Sequence, residues 1–257
     1  MQIYLTASPG EAQRAMSFRY PLAHAAYRIG PGSTLLRQSL LLQSRGGLLS
    51  VSDRDAPPVE DPEALCAAML RECGRRGYQG VLLDFEGHPR EDLRRFARRL
   101  GELLAESRRT LYLPEPFLER GMRAAALIGT AVSGGSFADY LRESAQRLGG
   151  ASRMALDVER LRMDFRLPAP SGRGEPLTAQ ALAALMERES PQIFFSQDLC
   201  ARYFTYTREG QAHFVLFDDA GTLRQKLQTG TALGCSAAFF LWQEIEDLAG
   251  ELFGARN

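Results

Sequence analysis

Short apolar runs alternate with longer amphipathic stretches along most of this chain. The apolar runs have the length and composition of buried strands, and the stretches between them repeat apolar residues at helical spacing. The pattern predicts eight strands, at residues 3–7, 24–29, 47–52, 80–85, 109–114, 126–132, 153–157 and 236–242. It predicts helices at residues 9–18, 33–44, 93–104, 137–148 and 245–253, and one more that begins at Asp61-Pro62-Glu63. A strand followed by a helix, repeated in this way, indicates a parallel sheet of βαβ units.

Eight strand–helix units favour a closed (β/α)8 barrel. The chain has 257 residues, close to the usual length of that fold, about 250 residues. The alternative is an open, doubly wound sheet. Its dinucleotide-binding form lacks support, because no G-x-G-x-x-G follows the first strand. We therefore predict the α/β class and a single TIM-barrel domain over residues 1–257.

Residues 158–219 depart from the strand–helix rhythm. This region contains a turn-rich stretch at 168–174, a predicted helix at 178–189 and two β-like runs at 203–207 and 213–218. The short turn between the two runs predicts a hairpin. Because the region follows the seventh strand, we expect an elaborated connection between strands seven and eight, on the face of the barrel that carries active sites.

The charge of the chain excludes some classes of partner. It carries 31 basic and 31 acidic side chains, so no net field favours nucleic acid or an anionic membrane. No apolar stretch approaches the length that spans a bilayer. The first residues, Met1-Gln2-Ile3-Tyr4-Leu5, have neither the basic nor the long apolar segment of a secretory signal. We expect a cytoplasmic protein that binds neither nucleic acid nor membrane, and these features leave its oligomeric state open.

The clearest candidate for chemistry is the segment Gly80-Val81-Leu82-Leu83-Asp84-Phe85-Glu86-Gly87. Side chains alternate along a strand, so Asp84 and Glu86 share one face and Phe85 points to the other. In a barrel the shared face opens into the mouth at the carboxyl ends of the strands, where active sites lie. Two close carboxyl groups perturb each other, so one tends to hold a proton near neutral pH and can act as a general acid. The alternative is that both acids cap the next helix or pair with its arginines.

This octet resembles the D-x-x-D-x-D-x-E signature of the family 18 glycoside hydrolases. It is most similar to the shortened G-x-x-x-D-F-E form of the bacterial spore-cortex-lytic N-acetylglucosaminidases. The resemblance implies that Glu86 is the catalytic acid that protonates the glycosidic oxygen. It implies that Asp84 orients the 2-acetamido group of the substrate, whose carbonyl oxygen is the nucleophile. Such an enzyme needs no metal and no other cofactor. The outer acids of the longer signature are replaced here by Gln79 and Leu82.

The similarity continues from about residue 77 to residue 245. Segments 113–116, 163–168, 203–206 and 213–220, followed by Lys226, resemble in turn the family's proline-marked fifth strand and the spore group's Y-D-W-x-L-P, F-x-Y, H-x-V-W-F-E-D-A and K landmarks. No LysM repeat of that group occurs in the chain, so a small or soluble glycan fragment is the expected substrate.

Two further site residues are implied by the same resemblance. Trp242, at the end of strand eight, would stack under the sugar at the cleavage point. The alternative for Trp242 is a place in the core, because aromatic residues in strands are usually buried. The family's tyrosine at the end of strand six is missing. Ser133, or a phenol from another loop, would supply its hydrogen bond.

Acidic residues at other predicted strand ends extend the candidate site. Glu115, Asp157 and Glu244, together with Asp84 and Glu86, would form an acidic mouth that binds sugar hydroxyls and pairs with nearby arginines. The alternative is a site for a divalent cation, because clustered carboxylates suit magnesium or manganese. The leading hypothesis is a hydrolase of β-linked N-acetylglucosamine glycans. The other hypotheses are a catalytically weakened sugar-binding barrel and a metal-dependent barrel enzyme.

Overall fold

The apolar runs of the sequence form the staves of a barrel. The computed structural model of the protein describes residues 1–38, 45–169 and 172–254. Its strands are β1 (Gln2–Ala7), β2 (Leu22–Gly30), β3 (Thr34–Arg37), β4 (Leu48–Ser52), β5 (Gly80–Asp84), β6 (Thr110–Pro114), β7 (Ala125–Gly129), β8 (Met154–Val158), β9 (Arg162–Arg166), β10 (Glu175–Pro176), β11 (Phe194–Ser196), β12 (Ala201–Arg208), β13 (Gln211–Phe217) and β14 (Ala237–Leu241). Its helices are α1 (Ala12–Met16), α2 (Pro62–Arg76), α3 (Glu91–Glu106), α4 (Phe137–Leu148), α5 (Ala179–Glu189), α6 (Ala220–Leu233), α7 (Trp242–Ile245) and α8 (Ala249–Phe253).

Eight of these strands close into a parallel barrel. Their order around it is β1, β14, β8, β7, β6, β5, β4 and β2, and pairing of β1 with β2 completes the ring. The predicted (β/α)8 fold is thus confirmed, and each predicted strand corresponds to one barrel strand within a few residues. None of the helices in the described part of the chain is both long enough and apolar enough to cross a bilayer.

Alternation along the strands separates two apolar layers. One side of each strand faces the barrel interior, where the rings of Tyr4, Tyr112 and Phe239 pack against one another with centroids 4.9–6.0 Å apart. The other side packs against the surrounding helices, as Leu83 of β5 does with the apolar stripe of α3. The interior is therefore filled, and only its carboxyl end is open to a ligand.

Helix α2 begins where the sequence predicts. The Asp61 carboxylate accepts a hydrogen bond from the backbone N–H of Ala64 at 2.9 Å, and Pro62 occupies the first turn. An aspartate at this position satisfies one of the free N–H groups at the helix start.

We expect the Asp61→Ala variant to lower the free energy of unfolding by about 1 kcal/mol, because it removes this cap. Urea unfolding followed by circular dichroism measures the change. The exposed neighbour Glu60 makes a matched control, and an equal loss in Glu60→Ala would contradict the capping role.

The prediction of a helix at residues 33–44 is wrong for its described part. Residues 34–37 instead form β3, which pairs antiparallel with β2. A tight turn precedes it, with Gly32 and Ser33 in the left-handed region at φ 63° and 55°. The turn brings the chain back beside β2, whose free edge offers backbone hydrogen bonds, and this pairing outweighs the helical spacing of the leucines. Residues 39–44 lie outside the described residues, as do 170 and 171 of the predicted loop.

The chain between β8 and β14 builds a second sheet. Five antiparallel strands lie in the order β10, β9, β13, β12 and β11. Apolar side chains of α5 pack on one face of this sheet, against Phe204 and Val215. Where β13 ends, the buried Asp218 carboxylate forms an ion pair with Lys226 of α6 at 2.7 Å and accepts a hydrogen bond from the backbone of Leu161 at 3.0 Å. The pair therefore joins the second sheet to the connection that leaves β8.

Candidate active site

A cavity of about 740 Å³ lies at the carboxyl ends of the barrel strands. Its walls come from the tips of several strands and from the segments that follow them. The predicted site residues that line it are Asp84, Glu86, Glu115, Asp157 and Glu244. Residues that are far apart in the sequence thus meet at one end of the barrel, which is where barrel enzymes carry their catalytic groups.

The alternation along β5 places the acid pair in this cavity. Leu82 belongs to the barrel interior, so Asp84, two residues later, also points inward, and Glu86 lies next to it on the cavity wall. Phe85 points outward and packs edge-on against Phe117 at 5.2 Å between ring centroids. Neither acid caps a helix: the residue that precedes α3 is Arg90.

Asp53 holds the backbone that carries Glu86, and the sequence analysis missed it. It follows β4, the neighbour of β5, and only 9% of it is exposed. Its two carboxylate oxygens accept hydrogen bonds from the backbone N–H groups of Glu86, at 2.9 Å, and Gly87, at 3.2 Å. A β-carbon at position 87 would lie 2.8 Å from Asp53 Oδ2, so glycine permits this close contact. The available signal was an acid directly after a predicted strand.

Two carboxyl groups at the base of the cavity hold protons more tightly than usual. Burial, with added repulsion from Glu86 and Asp53, raises the pKa of Asp84 to about 6. Burial, with added repulsion from Glu159 and Asp84, raises the pKa of Asp157 to about 7. Within the described residues, neither side chain has a hydrogen-bond or ion-pair partner. The cavity can therefore keep a proton near neutral pH, as acid–base chemistry requires.

The outer carboxylates of the cavity are paired with arginines. Glu115 accepts two hydrogen bonds from Arg147 of α4, at 2.6 and 2.9 Å. Glu244 forms an ion pair with Arg162 of β9. These pairs fix the positions of the two glutamates and cancel their charge at the rim, while leaving oxygen lone pairs for a ligand.

Trp242 does not occupy the predicted position. It is fully buried between the barrel and its helices, and its ring lies 5.6 Å from that of Phe18. The reason is again alternation: Phe239 faces the barrel interior, so Leu241 shares its side and Trp242 points outward. Leu241, 39% exposed, lines the cavity instead. Ser133 is exposed beyond the end of β7 and is not part of the cavity wall.

A phenol does reach the cavity, from α4. Tyr140 lines its wall, and burial together with the charges of Glu115 and Glu159 raises the pKa of Tyr140. Its hydroxyl has no hydrogen-bond partner among the residues that the structure describes. The sequence analysis allowed a phenol from another segment but did not identify this residue, which lies in the first turns of the predicted helix 137–148.

The acidic mouth does not converge into a metal centre. Among residues 1–38, 45–169 and 172–254, no three His, Cys, Asp or Glu side chains lie close enough together to bind one ion. The pairing of Glu115 and Glu244 with arginines contributes to this, because it holds both carboxylates at the rim. The arrangement offers a carboxyl pair and hydrogen-bonding oxygens rather than a ligand set.

Comparison with solved structures shows that the fold is shared with glycan-cleaving enzymes. The spore cortex-lytic enzyme SleL of Bacillus cereus superposes with a TM-score of 0.70 at 16% identity, covering 98% of this chain and 73% of SleL. A chitinase from Chromobacterium violaceum gives 0.68 at 16% identity, covering 100% and 99%, and a class V chitinase from Nicotiana tobaccum gives 0.69 at 12% identity, covering 98% and 96%. No protein-family model and no curated protein sequence matches the chain. The similarity thus establishes that this chain has the barrel fold of SleL and these chitinases.

Proposed function

We propose that this protein is a glycosidase that cleaves β-linked N-acetylglucosamine oligosaccharides with assistance from the substrate. One observation carries the proposal: Asp84 and Glu86 lie side by side on the wall of the cavity at the mouth of a barrel. The fold shared with chitinases agrees with it. A second structure of the tobacco chitinase is a complex with NAG4, and we take the same tetrasaccharide as the test ligand.

In the proposed reaction Glu86 acts first as an acid. It donates its proton to the glycosidic oxygen while the carbonyl oxygen of the substrate's acetamido group attacks the anomeric carbon. The bond to the leaving sugar breaks, and an oxazolinium ion forms on the sugar that remains. Glu86, now a carboxylate, takes a proton from water as that water opens the ring, so the β configuration is retained.

The remaining residues position the substrate. Asp84 faces the acetamido nitrogen, whose positive charge grows as the oxazolinium ion forms. Asp53 holds the Glu86 backbone in place through its two N–H bonds. The unpartnered hydroxyl of Tyr140 is available to the acetamido carbonyl, in the role for which the family uses a strand-six tyrosine. Glu115 and Glu244 accept hydrogen bonds from sugar hydroxyls at the rim.

The test is a comparison of two tetrasaccharides with the wild-type protein. Chitotetraose should be cleaved, and proton NMR should show the β anomer of the new reducing end first. The fully de-N-acetylated tetramer should not be cleaved, because it lacks the internal nucleophile. Release of the α anomer, or equal cleavage of both tetramers, would contradict substrate assistance. Absence of any cleavage would contradict the enzymatic function.

Burial of Trp242 favours one second candidate, a sugar-binding barrel without turnover. An aromatic ring under the sugar contributes much of the binding energy that distorts a substrate, and Trp242 is not exposed for that purpose. Calorimetry that detects chitotetraose binding, with no product after long incubation, would favour this candidate over the hydrolase.

A further inference from the structure

The carboxylates of the cavity fall into two sets that are neutralised in different ways. At the rim, Glu115 and Glu244 are paired with Arg147 and Arg162. At the base, Asp84 and Asp157 have no arginine, lysine or hydrogen-bond donor as a partner within the described residues. Something other than a cation must therefore offset the charge of the inner pair.

The barrel walls around the inner pair supply no polar group. Asp84 and Asp157 end the inward faces of β5 and β8, which are separated in the barrel by β6 and β7. The corresponding ends of those two strands are Pro114 and Gly129, which carry no donor side chain. Beneath lie the apolar side chains of the barrel interior, among them Leu82 and Phe239. The inner carboxyls thus share a space that is dry below and uncharged between them.

Gly129 adds a further carboxylate to this space. A β-carbon built on Gly129 would lie 3.0 Å from Glu159 Oε2, so the Glu159 side chain folds over the end of β7. Gly129 also lies beside Asp157 in the strand register. The absence of a side chain at position 129 lets a second negative group approach Asp157, which makes ionisation of Asp157 still less favourable.

The charged and titratable groups around Asp157 leave it with excess negative charge. The cavity brings them from β5, from the segments after β6, β8 and β14, and from α4: Asp84, Glu86, Glu115, Tyr140, Glu159, Arg160 and Glu244. Arg160 is the one cation among the described cavity residues. Its Nη1 donates to both oxygens of Asp247, at 2.7 and 2.8 Å, and to the backbone carbonyl of Glu244. It is therefore engaged away from the inner pair.

We propose that Asp157 acts as a neutral carboxylic acid, a hydrogen-bond donor to the bound sugar, while Asp84 carries the single negative charge at the base of the cavity. Asp157 is thus a positioning residue for the proposed reaction, and its role in binding depends on that proposed function. A proton takes the place of the missing cation. The order of ionisation agrees with this assignment, because Asp84 loses its proton before Asp157 does.

The position of the proton is testable without substrate. In protein labelled with ¹³C at the aspartate carboxyl carbons, one resonance should titrate at a pH of about 7 and should be missing in Asp157→Asn. In Asp84→Asn the same resonance should titrate at a lower pH, because the charge that opposes its ionisation is gone. Asp55→Asn, an equal change in charge on the exposed loop after β4, should leave it in place. A wild-type Asp157 resonance that titrates near the ordinary aspartate value of about 3.9 would overturn the proposal, as would insensitivity to Asp84→Asn.

Binding tests the role of that proton. In Glu86→Gln, which cannot cleave the ligand, chitotetraose affinity should fall about tenfold between pH 6 and pH 9, the effect of losing one hydrogen bond and gaining a repulsive charge. Adding Asp157→Asn should abolish the fall, because an amide donates at both pH values. An unchanged pH dependence in the double variant would contradict the donor role. No binding at any pH would refute the proposed function, and the titration would still decide where the proton resides.

Discussion

The Glu86→Gln variant should lose about 10²–10⁴-fold in kcat for chitotetraose, the range that general acid–base catalysis contributes. An amide has the size of the carboxyl group but cannot give a proton to the leaving oxygen or take one from water. Glu86 lies on the cavity wall with its side chain exposed, so the exchange should not disturb packing. Initial rates and calorimetry on the same preparation separate the loss of turnover from any loss of binding, which should be small.

Two comparisons make this prediction specific. Glu60→Gln, an identical exchange at an exposed site before α2, should leave turnover unchanged. A substrate with a phenol leaving group needs less protonation, so its cleavage should suffer a smaller loss in Glu86→Gln than chitotetraose cleavage does. If turnover of chitotetraose in Glu86→Gln equals that of the wild type, Glu86 is not the acid.

The barrel was predictable because its evidence is local and repeated. Each stave is a short apolar run, and α2, α3 and α4 carry either a capping residue or an apolar stripe that their sequences display. Helix α6 was not predicted. Glycine and threonine residues, such as Gly221 and Thr231, weaken its helical pattern, and the Asp219–Thr222 capping box and a buried face hold it together instead.

The site was only partly predictable, because strand alternation has to be counted from a known inward residue. For β5 the two acids and the phenylalanine between them show which face is which. For β14 a run of apolar and aromatic residues hides the alternation, and the resemblance to a known family placed Trp242 on the wrong side of the strand. The backbone bonds of Asp53 and the approach of Tyr140 depend on how neighbouring units pack, which no local pattern in the sequence expresses.

The largest effect on stability should come from Lys226→Met. The ion pair of Lys226 with Asp218 has no exposed surface on either side chain, and Thr222 donates a further hydrogen bond to Asp218 at 2.8 Å. Removing the cation leaves a buried carboxylate without its counter-charge, which costs about 3–5 kcal/mol. Burial already raises the pKa of Asp218, and Lys226 opposes that rise. In the variant the folded-state pKa rises further, so the deficit should be smallest at low pH, where Asp218 is protonated, and should grow as the pH rises.

Urea unfolding of Lys226→Met between pH 5 and pH 8 measures this deficit. The double variant Asp218→Asn, Lys226→Met should recover part of it and lose the pH dependence, because no buried charge remains. Arg224→Met removes a cation from the exposed face of the same helix and should cost less than about 1 kcal/mol. A Lys226→Met deficit no larger than that of Arg224→Met would mean that the pair contributes little. The second sheet would then depend mainly on its apolar contacts for its attachment to the barrel.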